Sequence, residues 1–124
     1  MATILVVENE QQVRTMIAKA LEREGFCVLA ADSGAKAISL SRSYPGDVDL
    51  LLSDVAMRDM DGATLARELR RGSPELPVIL MSDGIDPLSQ VVARPARFLC
   101  KPFPIANLTR MARSLLGVPA RRRG

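Results

Sequence analysis

Ile4-Leu5-Val6-Val7 is apolar at every position, and Leu50-Leu51-Leu52 and Val78-Ile79-Leu80-Met81 repeat the pattern. A strand with one wet face alternates apolar and polar residues. Uninterrupted runs instead predict strands buried on both faces, as in a parallel sheet with helices above and below it. The stretches between the runs have a different period. Over residues 10–24 the apolar positions Val13, Met16, Ile17, Ala20 and Leu21 recur at three and four, which predicts an amphipathic helix stopped by Gly25. Residues 26–31 predict a second strand. Asp32 or Ser33 then caps a weaker helix through Ala35, Ile38 and Leu40, ending near Tyr44-Pro45-Gly46. Residues 48–53 predict a third strand running into Asp54, and residues 63–71 a third helix closed by Gly72 and Pro74. Residues 77–81 and 97–100 predict two more strands, and residues 105–116 a last helix ended by Gly117 and Pro119.

Strand and helix thus alternate along the chain, which predicts an α/β fold with an open, doubly wound parallel sheet. Right-handed crossovers leave few topologies for five strands. The flavodoxin-like order 2-1-3-4-5, with helices on both faces, is the expected one. One connection is short: Pro87 and Pro95 leave only residues 88–94 for a fourth helix, which should therefore be shortened. That order also places Cys27 and Cys100 on opposite edge strands, roughly 19 Å apart across four strand spacings. A disulfide spans at most ~7 Å between Cα atoms. Both are expected to be buried thiols packed as small hydrophobes.

Composition narrows the function. At 124 residues and 48% hydrophobic, the chain can build one core and is not disordered. Arg121, Arg122 and Arg123 hold three of its 17 basic side chains, leaving 14 against 14 acidic ones in the rest. The net +3 therefore belongs to the end of the chain. The expected division is a neutral domain over residues 1–117 and a basic, disordered tail over 118–124. The chain has no histidine. Ser-His and Cys-His nucleophile pairs are impossible, as is imidazole base chemistry, and two cysteines cannot close a zinc site. No apolar run approaches the ~20 residues that cross a bilayer. With no export signal and two cysteines, the cytoplasm is the expected compartment, and neither a membrane nor DNA is an expected partner.

Ligands of open parallel sheets sit beyond the carboxyl ends of the strands, near the switch in strand order. Those ends carry Glu8, Asn9 and Glu10 after the first strand, Asp54 after the third, Ser82 after the fourth, and Lys101-Pro102 after the fifth. The first and third strands are neighbours in the expected order, so Glu8, Asn9 and Asp54 should converge. Two carboxylates and an amide oxygen beside one ammonium suit a small, hard cation such as Mg²⁺.

The segments Val6-Val7-Glu8-Asn9-Glu10, Ser53-Asp54-Val55-Ala56-Met57-Arg58-Asp59-Met60-Asp61-Gly62, Met81-Ser82 and Phe98-Leu99-Cys100-Lys101-Pro102-Phe103 together resemble the receiver domain of two-component response regulators. The resemblance runs from residue 3 to about 116. It implies that Asp54 accepts a phosphoryl group from a phosphohistidine on a sensor histidine kinase or phosphotransfer protein. It implies that Glu8, Asn9, Asp54 and the Ala56 carbonyl surround Mg²⁺, that Lys101 pairs with the phosphoryl oxygens, and that Ser82 hydrogen-bonds one of them. Ser82 and Phe98 would form the switch, and the Lys101–Pro102 bond would be cis. The chain would be a regulatory phosphoacceptor, not a conventional enzyme, acting on a downstream protein partner and capable of weak homodimerisation. It would be a stand-alone regulator or the receiver of a larger one.

Three positions depart from the family pattern. Asn9 stands where the family usually has an acid, so Glu8, Asn9, Asp54 and Lys101 sum to −1 and Mg²⁺ should bind more weakly. Arg58 replaces a common proline, and the connection over 83–95 is short. Asn9 supports a second reading, a pseudo-receiver that docks proteins without being phosphorylated. A haloacid-dehalogenase-type phosphatase would want an acid two residues after Asp54, where Ala56 stands. Plainer roles remain open for single residues. Asp54 is also a possible strand-end cap, Ser82-Asp83-Gly84 a turn, and Phe98 an edge-strand packing residue. Glu10 reads as a first-turn helix acid, and Asp59 and Asp61 as serving the loop and the next helix start.

Overall fold

The computed structural model describes residues 1–84 and 92–118. The elements are β1 (Thr3–Val7), α1 (Gln11–Arg23), β2 (Cys27–Ala31), α2 (Gly34–Ser43), β3 (Leu50–Asp54), α3 (Gly62–Arg70), β4 (Val78–Ser82), β5 (Ala96–Cys100) and α4 (Ile105–Leu116). The strands form one sheet in the order β2-β1-β3-β4-β5, with every pairing parallel. The expected doubly wound architecture is therefore present. The short helix expected over 88–94 falls mostly outside the described residues, and so does the basic tail apart from Val118.

The apolar runs owe their continuity to two separate cores. Side chains alternate across a strand, so Ile4, Val6, Leu50, Leu52, Ile79 and Met81 enter one core with Ile17 and Leu21 of α1 and Leu108 and Ala112 of α4. Leu5, Val7, Leu51, Val78 and Leu80 enter the other, with Ala37 of α2 and Leu65 and Ala66 of α3. Every residue of β1 and β3 is buried. Burying a Leu, Ile or Val side chain contributes roughly 1.5–3 kcal/mol, so these two central strands anchor the fold.

The edge strands behave differently. Of β5, only Leu99 is buried. Cys100 is exposed and Cys27 half-buried, both free. The expectation of two buried thiols therefore fails outright for Cys100 and is met only in part by Cys27, both of which lie on edge strands. Phe98 on the same strand is 42% exposed, a partly covered edge-strand residue. Glu10 also sits one place earlier than expected. Its extended backbone makes it the N-cap of α1, and no acid lies in that helix's first turn.

Caps and long-range polar contacts complete the frame. Ser33 accepts from the Lys36 amide to start α2, and Asp61 accepts from the Thr64 amide (2.7 Å) to start α3. Asp59 serves its own loop and reaches beyond it. Its carboxylate accepts from the amides of Gly34 and Ala35 at 3.1 and 2.8 Å, tying the β3–α3 loop to the start of α2. At the other end of the sheet, Arg113 of α4 donates to the side chain and the carbonyl of Glu24, at 3.0 and 2.8 Å. Its guanidinium lies 5.3 Å from the centroid of the Phe26 ring. These contacts fasten the last helix to the turn after α1.

Gly62, the first residue of α3, lies against the backbone that carries Asp54. A Cβ there would stand 2.5 Å from the Asp54 carbonyl oxygen and 2.8 Å from the Leu80 side chain. Gly62→Ala should therefore destabilise the fold by about 1–3 kcal/mol, the range for forcing atoms into a packed site. Gly72→Ala is the control, since nothing lies within 4 Å of its added methyl. Its stability should stay level or rise by up to about 1 kcal/mol. Urea unfolding of both variants checks the contrast, and equal midpoints would show that the β3–α3 approach is not tight.

Candidate functional site

The backbone brings the chemistry to one end of the sheet. Glu8 follows β1, Asp54 closes β3, Ser82 closes β4 and Lys101 follows β5. The Glu8 amide donates to the Ala31 carbonyl at 3.1 Å and the Lys101 amide to the Ser82 carbonyl at 2.7 Å, so both residues extend the strand ladders by one step. Lys101 is joined to Pro102 by a cis peptide, as the resemblance implied.

One ammonium stands between two carboxylates. Lys101 Nζ is 2.5 Å from Glu8 Oε1 and 2.7 Å from Asp54 Oδ1. Glu8 is 1% and Asp54 5% exposed, so solvent screens these charges little. Burial, the adjoining Glu8 and the hydrogen bond to it push the Asp54 carboxyl from its ordinary 3.8 up to about 6, against the pull of Lys101. Burial raises Glu8 as well. Hydrogen bonds with Asp54 and Lys101, and with the Glu10 amide at 3.0 Å, outweigh that and hold Glu8 below its ordinary value. For Lys101, burial acts downward and is outweighed by the two carboxylates, so its affinity for the proton rises.

Asn9 and Ser82 flank this group. The Asn9 backbone amide donates to Asp54 Oδ2 at 3.2 Å, and its side-chain Nδ2 donates to the Ala56 carbonyl, also at 3.2 Å. Ser82 Oγ accepts from the Gly84 amide at 3.1 Å, so Ser82 is at once a turn former and a residue of the site. Glu8, Asn9, Asp54, Ala56, Ser82 and Lys101 line a single cleft of about 240 Å³. Phe98 does not line it. It pairs with Leu80, two residues before the Ser82–Cys100 pair, on the open edge of the sheet.

The cleft suits a small, hard cation. Two carboxylates and a backbone carbonyl are oxygen donors of the kind Mg²⁺ takes. Among the described residues, Asp54 Oδ1 is the one buried side-chain polar atom without a hydrogen bond, because its contact with Lys101 lacks the alignment of one. Negative charge is sparse, however. Among the described residues no three His, Cys, Asp or Glu side chains gather into a metal-holding group, so the cleft offers two carboxylates, the Ala56 carbonyl and the neutral Asn9.

Arg14 escaped sequence reasoning. From the first turn of α1 it donates to the carbonyls of Glu8 and Asn9, at 2.8 and 3.4 Å, and holds the β1–α1 loop closed. Its only signal is a basic residue one turn after the acids. Arg70 likewise reads as a surface charge, yet it donates to the carbonyls of Leu76, Ala93 and Pro95 and pins the end of the β4–β5 connection. Burial lowers its proton affinity slightly below the ordinary value.

A parallel five-stranded sheet with two acids, a serine and a lysine at four successive strand ends defines a phosphoacceptor-type regulatory domain. The response regulator receiver domain family matches residues 4–113, and the chain belongs to that family. It is 32% identical to the response regulator receiver protein CpdR of Brucella abortus, covering 94% of this chain and 98% of CpdR. It is 37% identical to the sensor kinase CckA of the same organism over 93% of this chain, which spans 12% of that kinase's length. It spans about half the length of several transcriptional regulators it also matches. Among solved structures, the response regulator TrrA of Thermotoga maritima, in complex with Mg²⁺ and BeF, superposes with a TM-score of 0.81 at 27% identity over 94% of this chain and all of that one. No helix among the described residues is long and apolar enough to cross a membrane.

The raised Asp54 carboxyl makes a stability test. An acid with increased proton affinity in the folded state binds its proton more strongly there than in the unfolded chain. Stability therefore falls as pH rises from about 4 to about 6 and is level above that. Asp54→Asn removes the effect. In metal-free buffer the variant should gain on the wild type by on the order of 2–3 kcal/mol between pH 4 and pH 7. Thermal melts of both proteins across that range check it. A difference that stays flat with pH would show that Asp54 ionises normally.

Proposed function

We propose that this domain accepts a phosphoryl group on Asp54 from a phosphohistidine of a partner histidine kinase or phosphotransfer protein, and that the transfer needs Mg²⁺. The observation that carries the proposal is Lys101 Nζ lying 2.7 Å from Asp54 and 2.5 Å from Glu8 inside one open cleft. A carboxylate is a weak nucleophile, and phosphoryl transfer to it brings negative charge onto an already acidic group. Fixed positive charge at that spot is what the reaction needs. In the transfer, an Asp54 oxygen bonds to phosphorus as the phosphorus–nitrogen bond to the partner's histidine breaks. The donor imidazole keeps the electron pair. The aspartyl phosphate that forms is later released by water.

Glu8, Asp54 and the Ala56 carbonyl would hold the ion, with Asn9 beside them. When bound, Mg²⁺ would neutralise charge on the phosphoryl oxygens. Lys101 contributes the second positive charge and orients Asp54 before the donor arrives. Ser82 is the sensing group. A phosphoryl oxygen would accept a hydrogen bond from its hydroxyl while Oγ goes on accepting from the Gly84 amide, drawing the start of the loop after β4 toward the phosphoryl group. Phe98, two residues upstream on the neighbouring strand and 42% exposed, would be the second switch residue, altering the surface offered to a downstream protein.

The second reading, a docking module that is not phosphorylated, draws on Asn9 alone. Asp54, Ser82 and Lys101 stand together in the cleft, and a module without phosphoryl chemistry has no use for them.

The chain has no tryptophan, so amide NMR is the natural probe. With millimolar Mg²⁺ and beryllofluoride, the amides of Val55, Ser82, Gly84 and β5 should shift together and saturate. No response at Asp54 and Ser82 would remove the phosphoacceptor reading. Asn9→Asp adds one negative charge to the site and should tighten Mg²⁺ roughly tenfold or more, from Coulomb attraction at about 4 Å. Unchanged affinity in an Mg²⁺ titration would show that position 9 does not act on the ion.

A further inference from the structure

We propose that Asn9 is a latch on the metal site and not one of its ligands. Its side-chain N–H occupies the Ala56 carbonyl, and Mg²⁺ would have to compete with that bond to use the same oxygen. This rests on the reading of the site as a cation-dependent phosphoacceptor and adds a control on it.

Two donors of one residue carry the argument. The Asn9 backbone amide reaches Asp54 Oδ2 and its side-chain Nδ2 reaches the Ala56 carbonyl, each at 3.2 Å. Those acceptors belong to two of the three residues suited to hold the ion. An amide N–H carries positive partial charge, so Asn9 meets the acceptors with the polarity a cation would have. Lys101 does the same for Glu8 and for Asp54 Oδ1. The oxygens of the cleft are thereby met by one full positive charge and two amide donors. An aspartate at this position could not do this. Its carboxylate has no proton to give and would be repelled by the Ala56 carbonyl, leaving that oxygen free.

The Asn9–Ala56 bond also joins two loops 47 residues apart in sequence, β1–α1 and β3–α3. The second loop has other braces: the Asp59 carboxylate on the amides of Gly34 and Ala35, and the bridge between Ala56 and Asp61. Releasing the latch therefore frees the carbonyl without unfolding the loop. A cation on the Ala56 carbonyl would face the partial positive charge of the Asn9 Nδ2–H on the same oxygen, so metal binding there should weaken or displace the Asn9–Ala56 contact.

Asn9→Ala separates latch from ligand, since it removes the side-chain donor and adds no charge. A latch predicts that Asn9→Ala binds Mg²⁺ about two- to tenfold more tightly than wild type, the worth of one partly exposed hydrogen bond no longer broken. A ligand predicts weaker binding in the same variant. The readout is Mg²⁺ affinity from chemical-shift titration of the full chain, with a thermal melt in metal-free buffer beside it. In the melt, Asn9→Ala should be slightly less stable than wild type, because the bond joining the loops is gone. Equal or weaker Mg²⁺ affinity in Asn9→Ala overturns the latch. Asn9→Asp keeps the outcomes distinct. If neither it nor wild type binds Mg²⁺, the cation-dependent function fails. If both bind and Asn9→Ala is not the tighter of itself and wild type, only the latch fails.

Discussion

A lysine ammonium held between two buried carboxylates is the interaction on which the site depends. Moving two carboxylates out of water costs several kcal/mol each unless opposite charge and hydrogen bonds compensate. Lys101 supplies a single charge for both. Asn9 and Glu10 add backbone donors, yet Asp54 Oδ1 still lacks an aligned hydrogen bond and its carboxyl is pushed up to about 6. The site is thus left with unbalanced negative charge at rest. Such a cluster is receptive to further positive charge, which the proposed cation would supply.

The fold exists to hold that imbalance still. The order β2-β1-β3-β4-β5 sets Glu8 and Asp54 on adjacent strands, and Lys101 reaches them from beyond β4 on a backbone anchored to Ser82. Two cores clamp β1 and β3 from both faces, so these strands cannot shift to relieve the repulsion. Gly62 lets α3 begin directly against the Asp54 carbonyl, and Asp59 and Arg113 bind loops and helices far apart in sequence. Precision in the site comes from rigid elements behind it.

The architecture was legible because periodicity records burial. An unbroken apolar run such as Ile4-Leu5-Val6-Val7 has few folded solutions, and the parallel sheet then places Glu8, Asp54, Ser82 and Lys101 at one end. What periodicity cannot record is a hydrogen bond between remote elements. Asp59 looked like a loop residue and is a brace on α2. Nothing in the pattern singles out Arg113 and Arg70, which are staples between remote elements. The direction of the Asn9 amide was likewise invisible, since the residue type offers both an acceptor and a donor. Cys100 was misread for another reason. An apolar residue on an edge strand obeys the same pattern as one in the core, while its neighbours on one side are missing.

The central claim is that Asp54, prepared by Lys101 and Glu8, is the phosphoryl acceptor. Intact-mass measurement tests it most directly, after incubation of the full chain with Mg²⁺ and acetyl phosphate. The account predicts the mass of one added phosphoryl group in the wild type, its loss when Mg²⁺ is chelated beforehand, and none in Asp54→Asn. An equal adduct in Asp54→Asn, or no adduct in the wild type at saturating Mg²⁺ and phosphodonor, would contradict it.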